Sequence, residues 1–154
     1  MRAVAFDVGA RRIGVAVSDA TLTLARPVGV LHPASLESDA LRLVAAEVAR
    51  LGQEEDGVTT IVIGLPRRLD GSPTALTEWI GAFAVRLGRV TQLPVVLQDE
   101  RLTSREAESR LAVTEKDWRV RKHRIDAAAA AIILQDYLDS GRHTPGVSAA
   151  EHEM

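Results

Sequence analysis

Residues 3–18 have the sequence AVAFDVGARRIGVAVS, which contains two apolar runs rich in Val on either side of a short polar turn. Apolar runs of this length that are bounded by turn residues are typical of buried strands. The turn Gly9-Ala10-Arg11-Arg12 is short and contains a glycine, as hairpin turns commonly do. The sequence therefore predicts that residues 3–8 and 13–18 pair as antiparallel strands.

The rest of the chain alternates between helix-like and strand-like patterns, which indicates an α/β fold. The predicted elements are a weak strand at 28–31 bounded by prolines, a helix at 41–51, a strand at 60–63, a helix at 76–87 capped by Ser72-Pro73, a strand at 94–97, a short helix at 103–111, a charged loop at 113–124, and a helix at 125–138 closed by Gly141. An antiparallel start followed by βαβ crossovers predicts a mixed five-stranded sheet. Its first three strands are antiparallel, the remainder are parallel, and helices cover both faces.

Length and composition favour one ordinary globular domain. A chain of 154 residues can bury one core, and we predict a single domain at 1–141 followed by a flexible tail at 142–154. The longest apolar run, at 127–134, is far shorter than the ~20 residues of a membrane-spanning helix. The N-terminal residues lack the sections of a signal peptide, so we expect a cytoplasmic protein. The absence of cysteine excludes disulfides and thiolate chemistry.

The net charge of -2 is unusual for a nucleic-acid-binding protein, but the positive charges are clustered. Basic residues gather at Arg11-Arg12, at Arg67-Arg68, at Arg101 and Arg105, and in residues 119–124. Each of these clusters could simply keep a loop solvated. Their position next to the acids described below instead favours contact with a phosphate backbone.

Three carboxylates occupy positions that an α/β sheet would bring to one edge. Asp7 lies inside the first apolar run, where a charge is costly to bury unless it is compensated. Glu100 follows the 94–97 strand, beside Asp99, and Asp126 is placed in the first turn of the last predicted helix. Taken singly, Asp7 could cap a turn, Glu100 could be a solvated loop acid, and Asp126 could stabilise a helix dipole.

Three carboxylates held close together repel one another, and divalent cations relieve that repulsion. Oxygen ligands suit Mg²⁺ or Mn²⁺, whereas a chain without cysteine and with scattered histidines does not suit a structural zinc site. The sequence therefore predicts a magnesium or manganese site formed by the three acids.

Four motifs follow one another along the chain in an order that resembles a known family. They are Asp7-x-Gly9-x-x-Arg12-Ile13-Gly14-Val15-Ala16, Gly64-Leu65-Pro66 with Asp70-Gly71-Ser72, Asp99-Glu100-Arg101-Leu102-Thr103, and Asp126-Ala127-Ala128-Ala129-Ala130 with Ile133-Leu134-Gln135. Together they resemble the YqgF family, described as RuvX-like Holliday junction resolvases and as pre-16S rRNA nucleases. The match covers residues 1–141 and implies a ribonuclease H-like fold. It also implies that the acidic positions are Asp7, Glu100 and Asp126, and so selects Glu100 over Asp99.

These observations predict a metal-dependent nuclease that uses two cations roughly 4 Å apart. Asp7 would bridge the cations, Glu100 would support one of them and Asp126 the other. The resemblance favours processing of the 5′ end of precursor 16S rRNA as the reaction. The residues expected to bind the nucleic-acid backbone are Arg12, Arg67, Arg68, Arg101, Arg105, Lys122 and Arg124.

Three other functions remain open. A Holliday junction resolvase would cut branched DNA and would need two active sites, hence a homodimer. The first hairpin also resembles the phosphate-binding hairpin of actin-like kinases and ATPases, but those proteins pair two related domains, and this chain has room for one. Lastly, the domain could bind RNA or a ribosomal or transcription partner without catalysis.

Overall fold

The secondary structure follows the predicted order in the computed structural model, which describes residues 1–68, 70–99 and 118–141, with backbone alone for 118–125. The strands are β1 (Ala3–Val8), β2 (Ile13–Ser18), β3 (Ala25–Leu31), β4 (Thr60–Leu65) and β5 (Val95–Asp99), and the helices are α1 (Ala40–Gly52), α2 (Ala75–Thr91) and α3 (Trp118–Asp139). The two strands predicted at residues 3–8 and 13–18 are confirmed at both ends.

The strands form one mixed sheet in the order β3-β2-β1-β4-β5. β1 and β3 run antiparallel to β2, whereas β4 runs parallel to both β1 and β5. The predicted five-stranded sheet, with its antiparallel start and parallel remainder, is confirmed. Across the first hairpin, Asp7 of β1 is the direct partner of Gly14 of β2.

The two faces of the sheet differ in residue size. On one face, Val4, Phe6 and Val8 of β1 pack with buried residues of α1 and α2. On the other face, Ala3 and Ala5 pack with buried residues of α3. Because side chains alternate along a strand, Asp7 follows Ala3 and Ala5 on the face that α3 covers.

The most crowded point between α3 and the sheet is at Gly14. A Cβ atom at Gly14 would lie 2.1 Å from the carbonyl oxygen of Asp126 and 2.7 Å from its carbonyl carbon. Only a residue without a side chain allows the two backbones to approach so closely. This contact fixes Asp126 beside the strand that carries the partner of Asp7.

The predicted strand at 28–31 is longer than the sequence pattern indicated. β3 begins at Ala25 and includes Pro27, which was predicted to lie outside the strand. Pro27 is the partner of Ala16, where the register between β2 and β3 shifts. β3 is also an edge strand, and edges and bulges are the places where a sheet tolerates proline.

The predicted cap of α2 at Ser72-Pro73 is wrong. The N-cap is Thr74, whose side chain accepts the N–H of Thr77 while the Thr77 side chain accepts the N–H of Thr74. Ser72 has a different role, because its N–H and hydroxyl both donate to Asp70 Oδ1, at 2.9 and 2.6 Å. The reciprocal threonine pair therefore places the N-cap two residues later than expected, while the helix itself begins at Ala75, one residue before the predicted start.

The predicted loop at 113–124 is wrong for its last seven residues, which belong to α3. Residues 118–139 contain no Gly or Pro, and the Arg and Lys residues of 118–124 favour helix although that segment has no apolar stripe. Asp126 consequently lies in the third turn of α3 and not in the first, so a helix-dipole role loses its basis. The predicted helix at 103–111, Glu100 and the tail at 142–154 lie outside the described residues.

α3 ends at Asp139, before Gly141, whose φ of 76° lies in the left-handed region common after helices. The predicted stop at Gly141 is confirmed. Although α3 has 22 residues, no helix in the described ranges is both long and apolar enough to cross a membrane.

We predict that Gly14→Ala lowers the free energy of unfolding by about 1–3 kcal/mol, because the added methyl group would overlap the Asp126 backbone. The measurement is urea unfolding followed by circular dichroism. The matched control is Gly29→Ala in neighbouring β3, where a Cβ atom meets nothing within 4 Å. Equal stability of the two variants would contradict the close approach of α3 to β2.

Candidate active site

Asp7 lies near the carboxyl end of β1, half-buried, on the face covered by α3. Its partner on β2 is Gly14. On the other side, Phe6 is the partner of Ile63 in β4, and the residue after Ile63 is Gly64. Glycines therefore occupy the positions flanking Asp7 on both neighbouring strands. At Gly14 the missing side chain leaves room for the backbone of α3.

Asp126 projects from α3 and is also half-buried, with 26% of its side chain exposed. Its Oδ2 atom lies 3.0 Å from Nε of Arg12, an ion-pair contact. The same Oδ2 atom is shielded from solvent and has no hydrogen-bond partner among the described residues. The contact is therefore Coulombic and lacks the alignment of a hydrogen bond.

The structure brings two of the three predicted acids to the same place. Asp7 is opposite Gly14, and Gly14 touches the backbone of Asp126. The third predicted acid, Glu100, lies outside the described residues. Asp7 and Asp126 therefore both lie beside Gly14, and their role in a shared site stays a prediction.

The alternation along β5 separates Asp99 from this face. Val95 and Leu97 pack with the α1 and α2 core, whereas Val96 packs with the α3 core. Asp99 therefore falls on the same side as Leu97, and Gln98 falls on the α3 side with Val96. Gln98, a polar residue that follows the three apolar residues of β5, was not predicted as part of the site. Because side chains alternate along a strand, its position two residues after Val96 would have placed Gln98 on the α3 side of the sheet.

The predicted basic residues have different surroundings. Arg12 contacts Asp126, whereas Arg67 and Arg68 are exposed on the loop after β4. Arg101 and Arg105 lie outside the described residues, and Lys122 and Arg124 lie in the first two turns of α3, of which only the backbone is described.

The loop after β4 is held by its own backbone. Arg67 forms a bridge with Pro73, and the N–H of Arg68 donates to the carbonyl of Ser72 at 3.0 Å. The Thr77 hydroxyl, at the start of α2, donates to the carbonyl of Pro66. The two arginines therefore project from an anchored loop at the carboxyl end of a parallel strand.

An open depression of about 280 Å³ lies near the carboxyl ends of β4 and β5. Its lining residues are Leu65, Arg67, Leu97, Gln98, Asp99 and Ser140. In open α/β sheets, ligands commonly bind outside the carboxyl ends of the strands. The depression places Arg67 at the part of the sheet where such a ligand would lie.

The donor atoms present suit a hard divalent cation. Asp7 and Asp126 supply oxygens only, and Oδ2 of Asp126 is a solvent-shielded atom that no described residue hydrogen-bonds. Buried polar atoms normally have hydrogen-bond partners, so a shielded carboxylate oxygen that lacks one among the described residues suits a metal ligand. Within the described ranges no three His, Asp or Glu side chains form a metal-binding group, and the predicted third ligand, Glu100, lies beyond them.

Comparison with solved structures identifies the fold. A Thermus thermophilus RuvC in complex with a Holliday junction substrate aligns with a TM-score of 0.54 and 16% identity, covering 92% of this chain and 97% of that chain. A second Thermus thermophilus RuvC structure aligns with a TM-score of 0.50 and 15% identity, covering 94% of this chain and 98% of that one. The likeness confirms the predicted ribonuclease H-like fold.

Comparison with curated sequences identifies the family. A relative from Anaeromyxobacter sp. (strain Fw109-5) is 45% identical over 93% of this chain and 99% of its own length. One from Chloroflexus aurantiacus is 40% identical over 98% of this chain and 93% of its own length. Both are named as candidate pre-16S rRNA nucleases. The family model for RuvX, described as Holliday junction resolvase, matches residues 1–140. The chain therefore belongs to the RuvX (YqgF) family of Holliday junction resolvase-like nucleases.

Proposed function

We propose that this protein is a metal-dependent nuclease that hydrolyses phosphodiesters of precursor 16S rRNA at its 5′ end, in the cytoplasm. The observation that carries the proposal is the convergence of Asp7 and Asp126 at Gly14, on one face of a ribonuclease H-like sheet. The substrate is proposed from the relatives, whose names describe candidate pre-16S rRNA nucleases.

Asp7, Glu100 and Asp126 would hold the metal, and we propose two Mg²⁺ or Mn²⁺ ions. The chemistry that such ions supply when bound is activation of the attacking water and stabilisation of the leaving oxygen. Asp7 suits the shared position because it is on the central strand β1, between the glycines of β2 and β4. Asp126 reaches the site from α3, whose position is fixed by the contact at Gly14.

The substrate backbone would be held by arginines beside the acids. Arg67 and Arg68 are exposed on the anchored loop after β4, so their side chains can contact a phosphate while the loop keeps its conformation. Arg101, Arg105, Lys122 and Arg124 are proposed for the same role from their sequence positions. Phosphate contacts of this kind position a nucleic acid without reading its sequence.

We predict that wild-type protein cuts a labelled precursor 16S rRNA leader in Mg²⁺ or Mn²⁺ and that a chelator abolishes the cutting. Asp7→Asn and Asp126→Asn should each lower the rate at least about 100-fold, because each variant loses a charged metal ligand. The matched control is Asp136→Asn, an exposed acid on the same helix as Asp126. Full activity of Asp126→Asn would contradict the proposed site.

The same assay separates the alternative functions. The family description and the RuvC fold keep a Holliday junction resolvase as the second candidate. A resolvase would cut a four-way DNA junction faster than the RNA leader and would be a dimer in size-exclusion chromatography. Tight metal-independent RNA binding without cutting of either substrate would instead indicate a non-catalytic protein.

We also predict that Arg67→Gln/Arg68→Gln weakens RNA binding and flattens its salt dependence. For single strands each phosphate contact contributes about 0.7 to the slope of log K against log salt, so two lost contacts should reduce the slope by about 1.4. The measurement is fluorescence anisotropy with labelled RNA at several salt concentrations. The matched control is Arg86→Gln/Arg89→Gln, which removes two exposed arginines from α2. Identical slopes for the two double variants would refute the assignment.

A further inference from the structure

Arg12 stands against a proposed metal ligand rather than in open solvent. Its Nε atom lies 3.0 Å from Oδ2 of Asp126, and its side chain is 34% exposed. The sequence suggested only that Arg12 would contact a nucleic-acid backbone. Its observed partner indicates a second role, toward the site that holds the metal.

The local fold fixes the position of Arg12. Its carbonyl accepts the N–H of Gly9 at 2.8 Å, which closes the turn between β1 and β2. Arg12 directly precedes β2 and shares the alternation of Gly14 and Ala16, and Ala16 packs on the α3 side of the sheet. Its side chain is therefore directed to the face that carries Asp126.

The contact compensates the charge of Asp126 incompletely. Oδ2 is shielded from water, so it has lost hydration, and no described residue replaces that hydration with a hydrogen bond. A nearby guanidinium offsets the negative charge only by Coulomb attraction. A divalent cation carries twice the charge and would bind the same oxygen directly.

A metal ion on Oδ2 would compete with the Arg12 guanidinium, which already lies 3.0 Å from that oxygen. Two positive groups within a few ångströms of Oδ2 would repel each other in a site partly closed to solvent. We propose that Arg12 is a positioning residue that neutralises Asp126 before metal binds and is displaced from it by the metal. This inference rests on the proposed function, because it takes Asp126 as a metal ligand.

Displacement would link metal binding to substrate binding. Once Asp126 holds a metal, the guanidinium of Arg12 is free at the sheet edge where a phosphate would lie. Metal would then favour substrate binding and substrate would favour metal binding by the same factor. Displacement of Arg12 by a metal would thus account both for the observed ion pair and for the nucleic-acid role predicted for Arg12.

The test is the affinity of the purified protein for Mn²⁺, measured by isothermal titration calorimetry without nucleic acid. Arg12→Gln should bind Mn²⁺ about fivefold more tightly than wild type, because the metal no longer competes with an ion pair. Arg11→Gln is the matched control, since it removes an exposed arginine from the same turn and should change the affinity less than twofold. Unchanged or weaker Mn²⁺ binding by Arg12→Gln would overturn the proposal.

A second measurement tests whether Arg12→Gln still folds. Thermal unfolding in chelator should show a lower Tm than wild type, and Mn²⁺ should raise the Tm of the variant more than that of wild type. An equal rise in both proteins would count against displacement. Arg12→Lys keeps the charge on a shorter side chain and should give a Mn²⁺ affinity between those of wild type and Arg12→Gln.

Asp126→Asn distinguishes failure of this inference from failure of the proposed function. If Asp126→Asn binds Mn²⁺ as tightly as wild type, Asp126 is not a metal ligand and both proposals fall. If Asp126→Asn loses Mn²⁺ while Arg12→Gln gains nothing, the metal site stands and only the role of Arg12 is overturned. None of these readouts depends on nuclease activity.

Discussion

The approach of α3 to β2 at Gly14 is the constraint on which the rest of the site depends. A carbonyl group of the helix occupies the space that a Cβ atom would need, so the two backbones are in direct contact. Gly14 also pairs with Asp7 across the hairpin, and the carbonyl belongs to Asp126. One steric contact between backbones therefore determines the relative position of two charged side chains that lie far apart in sequence.

One face of the sheet contributes most of the stabilisation, and the other face positions α3 against the strands. Large side chains such as Phe6, Ile61 and Ile63 fill the core under α1 and α2, where burial of apolar area contributes most of the stabilisation. On the other face, Ala3 and Ala5 are small, and the larger side chains come from α3, chiefly Ile133, Leu134 and Tyr137. Small residues bury less apolar area, but they allow the close approach that the site requires.

The sequence predicted those parts of the structure whose signals are local. Apolar runs located β1 and β2, and the cost of burying a charge singled out Asp7 between its apolar neighbours. Three features could not be found in this way. Pro27 is tolerated because β3 is at the edge of the sheet, Thr74 caps α2 because it pairs with Thr77, and residues 118–124 are helical without an apolar stripe. Each depends on a neighbour or on a balance of propensities that apolar periodicity does not report.

The Arg12 to Asp126 contact was beyond sequence reasoning for a different reason, because its partners are more than 100 positions apart and each alone is equally compatible with a solvated surface.

The ion pair of Arg12 and Asp126 also explains why net charge is a poor guide to this protein. Acids gathered at one place lower the total charge and would repel one another without compensation. An arginine placed against one of them reduces that cost locally while the total stays at -2. A divalent cation that replaced Arg12 would neutralise the charge of Asp126 more strongly and would leave the Arg12 guanidinium exposed at the surface of the site. Under the proposed exchange, the positive charge available to a phosphate would depend on whether Arg12 or a cation holds Asp126, and the net charge of the sequence does not report this.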